Sequence, residues 1–324
     1  MLGLALAAGA SIAAALAVGS VHLSAADLVA ALLGTNVPGA DIVLGLRAPR
    51  ALSGFAVGAT LALSGALLQS LLRNPLADPY ILGISGGAAV AALAALAAGL
   101  GAALVQGAAM LGALMTLALL FMLARRSLYS IDMAGAGQAA GSVLLTGVML
   151  ASLAAALMSL MLTLAPDGRL RSMMFWLLGD LSGSTDLVPA LFALPLAAVL
   201  LLVALADARS LNLMLHGDLQ AYTQGVRVDV TRRRLVLVAA VATACAVTLG
   251  GAVGFVGFVA PHLVRMLLGN DQRALLPASM LLGGTLVVVA DTIARTAFAP
   301  LQLPVGVLTA LIGAPVFLWF LGRR

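Results

Sequence analysis

Residues 187–206 read LVPALFALPLAAVLLLVALA, a run without one charged or hydrogen-bonding side chain. Coiled as an α-helix at about 1.5 Å per residue, such a run is about 30 Å long, the thickness of a bilayer's hydrocarbon core. It is continuous rather than alternating, so it reads as a helix and not as a barrel strand, and a helix satisfies its own backbone hydrogen bonds in lipid. Outward from it in both directions, further apolar runs fall near 2–19, 51–72, 82–99, 104–123, 140–164, 235–252, 255–268, 274–294 and 305–321. The pattern predicts an all-α integral membrane protein of about ten transmembrane helices. The run at 255–268 is short, which predicts a partial or broken helix.

Composition agrees. Of the 324 residues, 63% are apolar and 9% are charged, with a mean hydropathy of +1.15. A soluble domain carries about a quarter charged residues, so too little polar surface is present to clothe one, and disorder, collagen and coiled coil are excluded as well. All 17 basic residues are Arg and all 12 acidic residues are Asp. Without Lys or Glu the chain can hold no Walker A lysine, no lysine Schiff base and no zinc-protease HExxH glutamate. Any ATP-driven work must therefore be done by another polypeptide. The lone Cys245 lies in an apolar run and forms no internal disulfide. No linker or repeat divides the chain, so a single transmembrane domain over 1–324 is expected.

The arginines set the orientation. Twelve of them, Arg73, Arg125, Arg126, Arg209, Arg227, Arg232, Arg233, Arg234, Arg265, Arg273, Arg323 and Arg324, fall on one side of the ten-span arrangement, and five, Arg47, Arg50, Arg169, Arg171 and Arg295, on the other. The positive-inside rule then places both termini in the cytoplasm. The first run lacks the preceding Arg and following polar stop of a cleaved signal, and reads as a retained span. The five outside arginines go against the bias and invite a functional explanation.

Several local patterns have bland readings that win. Gly54, Gly58, Ala62 and Ala66 line one face of the second span and allow a close helix approach. Gly83-Ile84-Ser85-Gly86-Gly87 fits the G-x-S-x-G nucleophile elbow, but it opens a span after Asp78-Pro79 and reads as a helix-start turn. His22, His216 and His262 are scattered without metal-ligand spacing, so no metal site is expected. Asp291 is the acid deepest in an apolar run, where an ion-coupled carrier would place one, yet Arg295 one turn later makes an (i, i+4) pair the simpler account. Methionines 149, 158, 161, 173 and 174 cluster around the fifth span, suited equally to core packing and to a path for a large apolar ligand. Ser24-Ala25-Ala26-Asp27 can cap a short interfacial helix. In the loop 207–234, Gly217 to Gly225 bound a short helix ahead of the basic run Arg232-Arg233-Arg234, a knob for a partner or a topology signal.

Taken together these residues resemble the permease subunits of bacterial ABC importers for ferric siderophores, haem and vitamin B12. Arg47-Ala48-Pro49-Arg50 with Arg73-Asn74-Pro75-Leu76-Ala77-Asp78-Pro79 is similar to that family's first signature. Gly254 to His262 is similar to its second, and Leu303-Pro304-Val305-Gly306 through Gly313-Ala314-Pro315 to its third. The resemblance implies a type II importer permease that is not itself an enzyme. It further implies a homodimer with the path at the subunit interface, two cytoplasmic ATPase subunits that use the ATP, and a periplasmic substrate-binding protein.

Residue by residue, the resemblance implies that Gly217, Asp218, Ala221 and Gly225 belong to the ATPase-coupling loop, with Asp218 where the family usually has Glu. It implies that Arg47, Arg50 and Arg295 dock the binding protein. Arg171, ahead of Met173-Met174-Phe175-Trp176, would stand near the outer mouth of the path, to which Met149, Met173 and Met174 are further candidates. The chain starts almost directly in its first span, without the basic tail of many members, so a shorter first helix or a misplaced start is expected. Asp291-Thr292-Ile293-Ala294-Arg295-Thr296 and Ala299-Pro300 look slightly more like haem permeases, with siderophore and cobalamin as alternatives. An ion-coupled carrier using Asp291 and a non-transporting scaffold are the rival classes.

Overall fold

The structure, a computed structural model, describes residues 1–19, 25–32, 35, 39–126, 138–298 and 301–321. His22, Ser24, Ala299, Pro300, Arg323, Arg324 and most of the loop 124–139 lie outside the described residues. The helices in chain order are α1 (Leu2–Ala17), α2 (Ala25–Leu32), α3 (Ala40–Leu71), α4 (Ile84–Ala97), α5 (Ala102–Leu123), α6 (Gln138–Thr163) and α7 (Asp167–Leu177). They continue with α8 (Val188–Ala206), α9 (Ala208–Met214), α10 (Asp218–Thr223), α11 (Val228–Gly250), α12 (Val256–Leu268), α13 (Gln272–Thr296) and α14 (Val305–Leu321). Ten of these, α1, α3, α4, α5, α6, α8 and α11 to α14, fall on the ten apolar runs. Six are long and apolar enough to cross a bilayer alone, and α1, α4, α12 and α14 are shorter apolar helices.

α3 is the hub. Its most hydrophobic stretch is 89% buried, against 17% for α6 on the rim. The burial follows from its small residues, which let neighbouring backbones come close. A Cβ at Gly58 would overlap the carbonyl of Gly283 on α13, and a Cβ at Gly65 would overlap that of Gly257 on α12. The Ser64 and Thr243 hydroxyls, 2.8 Å apart, join α3 to α11. A bond of this kind between membrane helices is worth about 0.6 kcal/mol, so close backbone packing is the larger part of the hub's cohesion.

Two boundaries differ from the sequence expectation. The second span, placed at 51–72, belongs to a helix that begins at Ala40. One wide π turn, Val43–Arg47, lies just before Pro49. Proline lacks an N–H and its ring crowds the carbonyl four residues back, and the widened turn makes room for it. The seventh span, placed at 235–252, begins at Val228, because each of the three arginines that read as loop has a carboxylate partner on or near the helix. Arg232 meets Asp218, Arg233 meets Asp229 at 3.2 Å and Arg234 meets Asp207 at 3.1 Å.

The short eighth span is a partial helix, one of the two forms expected of it. Residues 251–255 are non-helical and α12 starts only at Val256, after Gly251 at φ 65° and Phe255 at φ 68°. Irregular backbone at membrane depth needs partners inside the protein. Here the Asp180 amide donates to the Gly250 carbonyl at 2.9 Å and the Ala252 amide to that of Trp176 at 3.3 Å. Gly83 is left-handed at φ 76° and Ser85 lies in the first turn of α4, so the G-x-S-x-G match is a helix-start turn.

Candidate functional site

At one end of the bundle the chain between α8 and α11 folds into an elbow. α9 leads to Gly217 at φ 123°, α10 makes little more than one turn, and Gly225 at φ 84° ends it. The end is a Schellman motif: the Val226 amide donates to the Ala221 carbonyl at 3.0 Å and the Gly225 amide to that of Tyr222 at 2.9 Å. Only glycine takes the left-handed position of this motif at no steric cost. Ala221 is fully buried, so its methyl seats the elbow on the bundle, while Leu219 and Tyr222 are 44% and 51% exposed. The elbow therefore presents an aliphatic and an aromatic side chain outward.

Asp218 points inward. Its carboxylate is buried between Arg232, also buried, and Arg73, whose guanidinium lies at 3.5 Å and is more open. The shortened acid is thus an internal tie and presents no surface. Arg73 ends α3 in the left-handed region at φ 50°. It occupies the position where glycine normally closes a Schellman motif, since the Asn74 amide donates to the Gln69 carbonyl at 3.1 Å. A non-glycine residue there costs about 1–2 kcal/mol.

A second tie runs from α9. The Asn212 side chain donates to the Asp271 carboxylate at 2.8 Å and accepts from the Gln272 amide at 3.0 Å, at the start of α13. The bond from Asn212, with one from the Arg273 amide, holds the Asp271 carboxyl below the ordinary carboxylate range. Between α3 and α4 the environment acts the other way. Burial pushes the Asp78 carboxyl up to about 6, although its oxygen accepts from the Tyr80 amide.

At the opposite end of α3 the three sequence-predicted arginines do come together. Arg47, Arg50 and Arg295 line a cavity of about 190 Å³ with Ser182, Ser184 and Gln302. Their partners had no local signal. Arg47, 4% exposed, donates to the carbonyls of Leu16 and Ala17 at 2.8 and 3.0 Å. Arg295 donates to that of Ala15. Both thus satisfy the orphan carbonyls and negative dipole end of α1. Arg50 grips Asp291 with two prongs at 2.8–3.0 Å and reaches Gln302 at 2.8 Å. The expected Asp291–Arg295 pair is present but loose, at 4.0 Å; Arg50 is the principal partner. Arg50 and Arg295 thus share the Asp291 carboxylate, while Arg47 is turned to the end of α1.

Arg171 lies on α7, a helix the sequence reading did not anticipate, and stacks 5.4 Å above the ring of Phe175. It lines a cavity of about 380 Å³ with Phe175, Trp176, Gln106 and Asp180. Met149 and Met174 are exposed, whereas Met173 is fully buried beneath α7. Of the methionines considered for a path, Met173 lines no surface in this structure.

The pattern of a ten-span bundle with a cationic cavity at one end and an elbow at the other has known relatives. The FecCD transport family matches residues 6–323. The chain belongs to the FecCD transport family. Among its relatives, the cobalamin import system permease of Halobacterium salinarum is 45% identical over 291 residues, covering 88% of this chain and 74% of that one. The hemin transport system permease of Yersinia pestis is 38% identical over 318 residues, covering 95% and 92%. A solved structure described as an inward-facing metal-chelate type ABC transporter superposes with a TM-score of 0.84 at 30% identity, covering all of this chain and 98% of that one. This FecCD member is accordingly a multi-pass ABC importer permease.

Sequence reading located the arginine trio and the elbow of this FecCD chain but missed Asn212, Gln272 and Gln302. They are uncharged and fit no motif, and their partners lie 59 to 252 residues away. Nothing in local spacing points to them.

Proposed function

We propose that this chain is the membrane path of an importer for a large metal chelate, driven by ATP hydrolysed on a separate subunit. The observation that carries the reading is the elbow. It is a helix seated by Asp218 and Ala221 whose large apolar side chains Leu219 and Tyr222 face outward, and a chain without lysine needs such a surface to receive work done elsewhere. In this reading the elbow end is cytoplasmic, both termini lie there, and an ATPase subunit binds at each copy of a homodimer. The coupling loop of Gly217, Asp218, Ala221 and Gly225 acts by shape, its glycines setting the turn and Asp218 and Ala221 seating it, while Leu219 and Tyr222 make the contact.

The arginine cavity at the other end then receives an acidic side chain of a periplasmic binding protein. The gathering of three arginines around one cavity supports this, with Arg50 and Arg295, both held on Asp291, able to turn to the guest. Docking gains its orientation from several such pairs together and weakens with salt.

The path itself runs along α6. Ser142, Thr146, Met149, Ser152, Ser159 and Thr163 recur at steps of three, four or seven residues, which keeps them along one side of this little-buried helix. Four of the hydroxyls donate to their own helix's carbonyls at 2.9 Å, which gives a mildly polar lining that binds no ligand tightly. Arg171 and the cavity beside it stand toward the mouth, with Met174. As substrate we propose a metal-bearing tetrapyrrole. Haem is favoured by the residues around Asp291 to Thr296, and cobalamin by the 45% identical relative named for it. Uptake of haem and of labelled cobalamin into proteoliposomes holding the complete transporter tests this. One of them should enter with ATP and neither in Tyr222→Asp. Equal uptake in that variant places the coupling surface elsewhere, and uptake of neither removes the tetrapyrrole.

A further inference from the structure

α3 and α13 run antiparallel, in one register from Arg50 to Gly58 that has shifted by a single residue at Ser70. Arg50 pairs with Asp291, Gly54 packs against Val287, Gly58 against Gly283, and the Ser70 hydroxyl donates to the Gln272 side chain at 3.2 Å. Eight residues from Arg50 to Gly58 are matched by eight from Asp291 to Gly283, so neither helix slips or bends away from the other. From Arg50 to Ser70 the pairing of the two helices extends about 30 Å at about 1.5 Å per residue. It is pinned at both ends by hydrogen bonds between buried side chains and in the middle by backbone contact, and it is the most extensive helix pairing among the described residues.

Each helix also carries one part of both end sites. α3 carries Arg47 and Arg50 of the cavity in its first third and is followed, just past its end, by Arg73, which reaches Asp218 of the elbow. α13 carries Asp291 and Arg295 at one end, and at the other is bonded twice to Asn212 of α9. α9 feeds directly into Gly217 and α10. The left-handed backbone of Arg73 is the costly conformation in this arrangement, and it falls where α3 hands over to the elbow.

We propose that α3 and α13 form a single strut through which occupancy of the arginine cavity is read at the elbow, with Asn212 as the positioning residue that completes the link. An acidic guest that takes Arg50 from Asp291 unpins one end of the strut. Because the middle is backbone against backbone and cannot yield gradually, the change is carried to Gln272 and Arg73 and so to the seating of α10. The inference rests on the roles given to the two ends above, yet its test needs neither partner.

The test is hydrogen exchange on the full chain in nanodiscs, read at the elbow amides of Ala221, Gly225 and Val226. Arg50→Gln, about 30 Å away, should raise their exchange at least fivefold. In an Asn212→Leu, Arg73→Ala background the same change should add less than twofold, since both links from the strut to the elbow are then cut, and Asn212→Leu alone should reduce the response. Combining Asn212→Asp with Asp271→Asn rebuilds the side-chain bond with donor and acceptor exchanged, keeps an acceptor for the Gln272 amide, and should restore the fivefold response. Should Arg50→Gln not fold, Arg50→Lys takes its place, keeping the charge but losing the two-pronged grip. An elbow indifferent to Arg50, or an Arg50 effect of equal size with and without Asn212, overturns the strut. Failure of the chain to bind an ATPase would instead count against the proposed function and leave this result standing.

Discussion

Removing the Asp218 carboxylate should be among the most damaging single changes at the elbow, and its damage should be reversible by a second change. Asp218 and Arg232 are both about 4% exposed as side chains, whereas Arg73, the other partner, is 30% exposed and at 3.5 Å. Deleting one member of a buried ion pair leaves an uncompensated charge and costs about 3–5 kcal/mol. Every 1.4 kcal/mol is tenfold, so Asp218→Ala should lower the folded-to-unfolded ratio by more than about a hundredfold. Arg73→Ala removes a partly solvated partner and should cost no more than about 1 kcal/mol. The double change Asp218→Ala with Arg232→Leu abolishes the stranded charge and should recover most of the loss, since apolar replacement of a buried pair is often neutral. Unfolding in mixed detergent micelles, titrated with sodium dodecyl sulfate, measures all three. A double variant as unstable as Asp218→Ala alone would refute the reasoning, because the cost would then come from shape and not from charge.

Other expectations follow from the same geometry. Native Asp78 holds its proton up to about pH 6, against 3.8 for an ordinary Asp. The folded state therefore binds more protons through that window and loses stability as pH rises through it, reaching a floor above about pH 6. Asp78→Asn keeps an acceptor for the Tyr80 amide and should gain on the wild type from about pH 4 to pH 6, as unfolding midpoints across pH will show. Arg47→Leu frees two carbonyls at the end of α1 and should cost about 1.5–3 kcal/mol of stability. Its effect on binding-protein affinity should be smaller than that of Arg50→Gln, a contrast that surface plasmon resonance on the two variants can check. Gly65→Ala drives a methyl into the Gly257 carbonyl and should destabilise by about 1–3 kcal/mol through overpacking, whereas Gly107→Ala, in open space on α5, should be neutral.

The spans were legible because lipid imposes one rule everywhere: a buried backbone must bond within its own helix, so each span needs a long apolar run. That rule stops at the membrane surface. α7 has the sequence DGRLRSMMFWL, too mixed to read as a span, and it folds because Met173 inserts beneath it. The first turns of α11 were hidden by three arginines whose counter-ions come from three separate segments. The arginine trio was visible as charge against the expected orientation bias, but its internal work was not. That Arg47 caps α1 and Arg50 grips Asp291 depends on contacts 30 and 241 residues apart. Likewise the sequence marked Asp218 as a place of interest, and only its burial between Arg73 and Arg232 turns it from a contact into a tie.

The central claim is that this polypeptide is a conduit worked from one end by an ATPase it does not contain. Substrate entry into proteoliposomes, followed with and without the ATPase subunit and with ATP or an ion gradient as the energy source, tests it most directly. Uptake should require the ATPase and ATP together and be indifferent to the gradient and to Asp291→Asn beyond its effect on folding. Nucleotide hydrolysis by the chain alone, or gradient-driven uptake without ATP, would contradict the account.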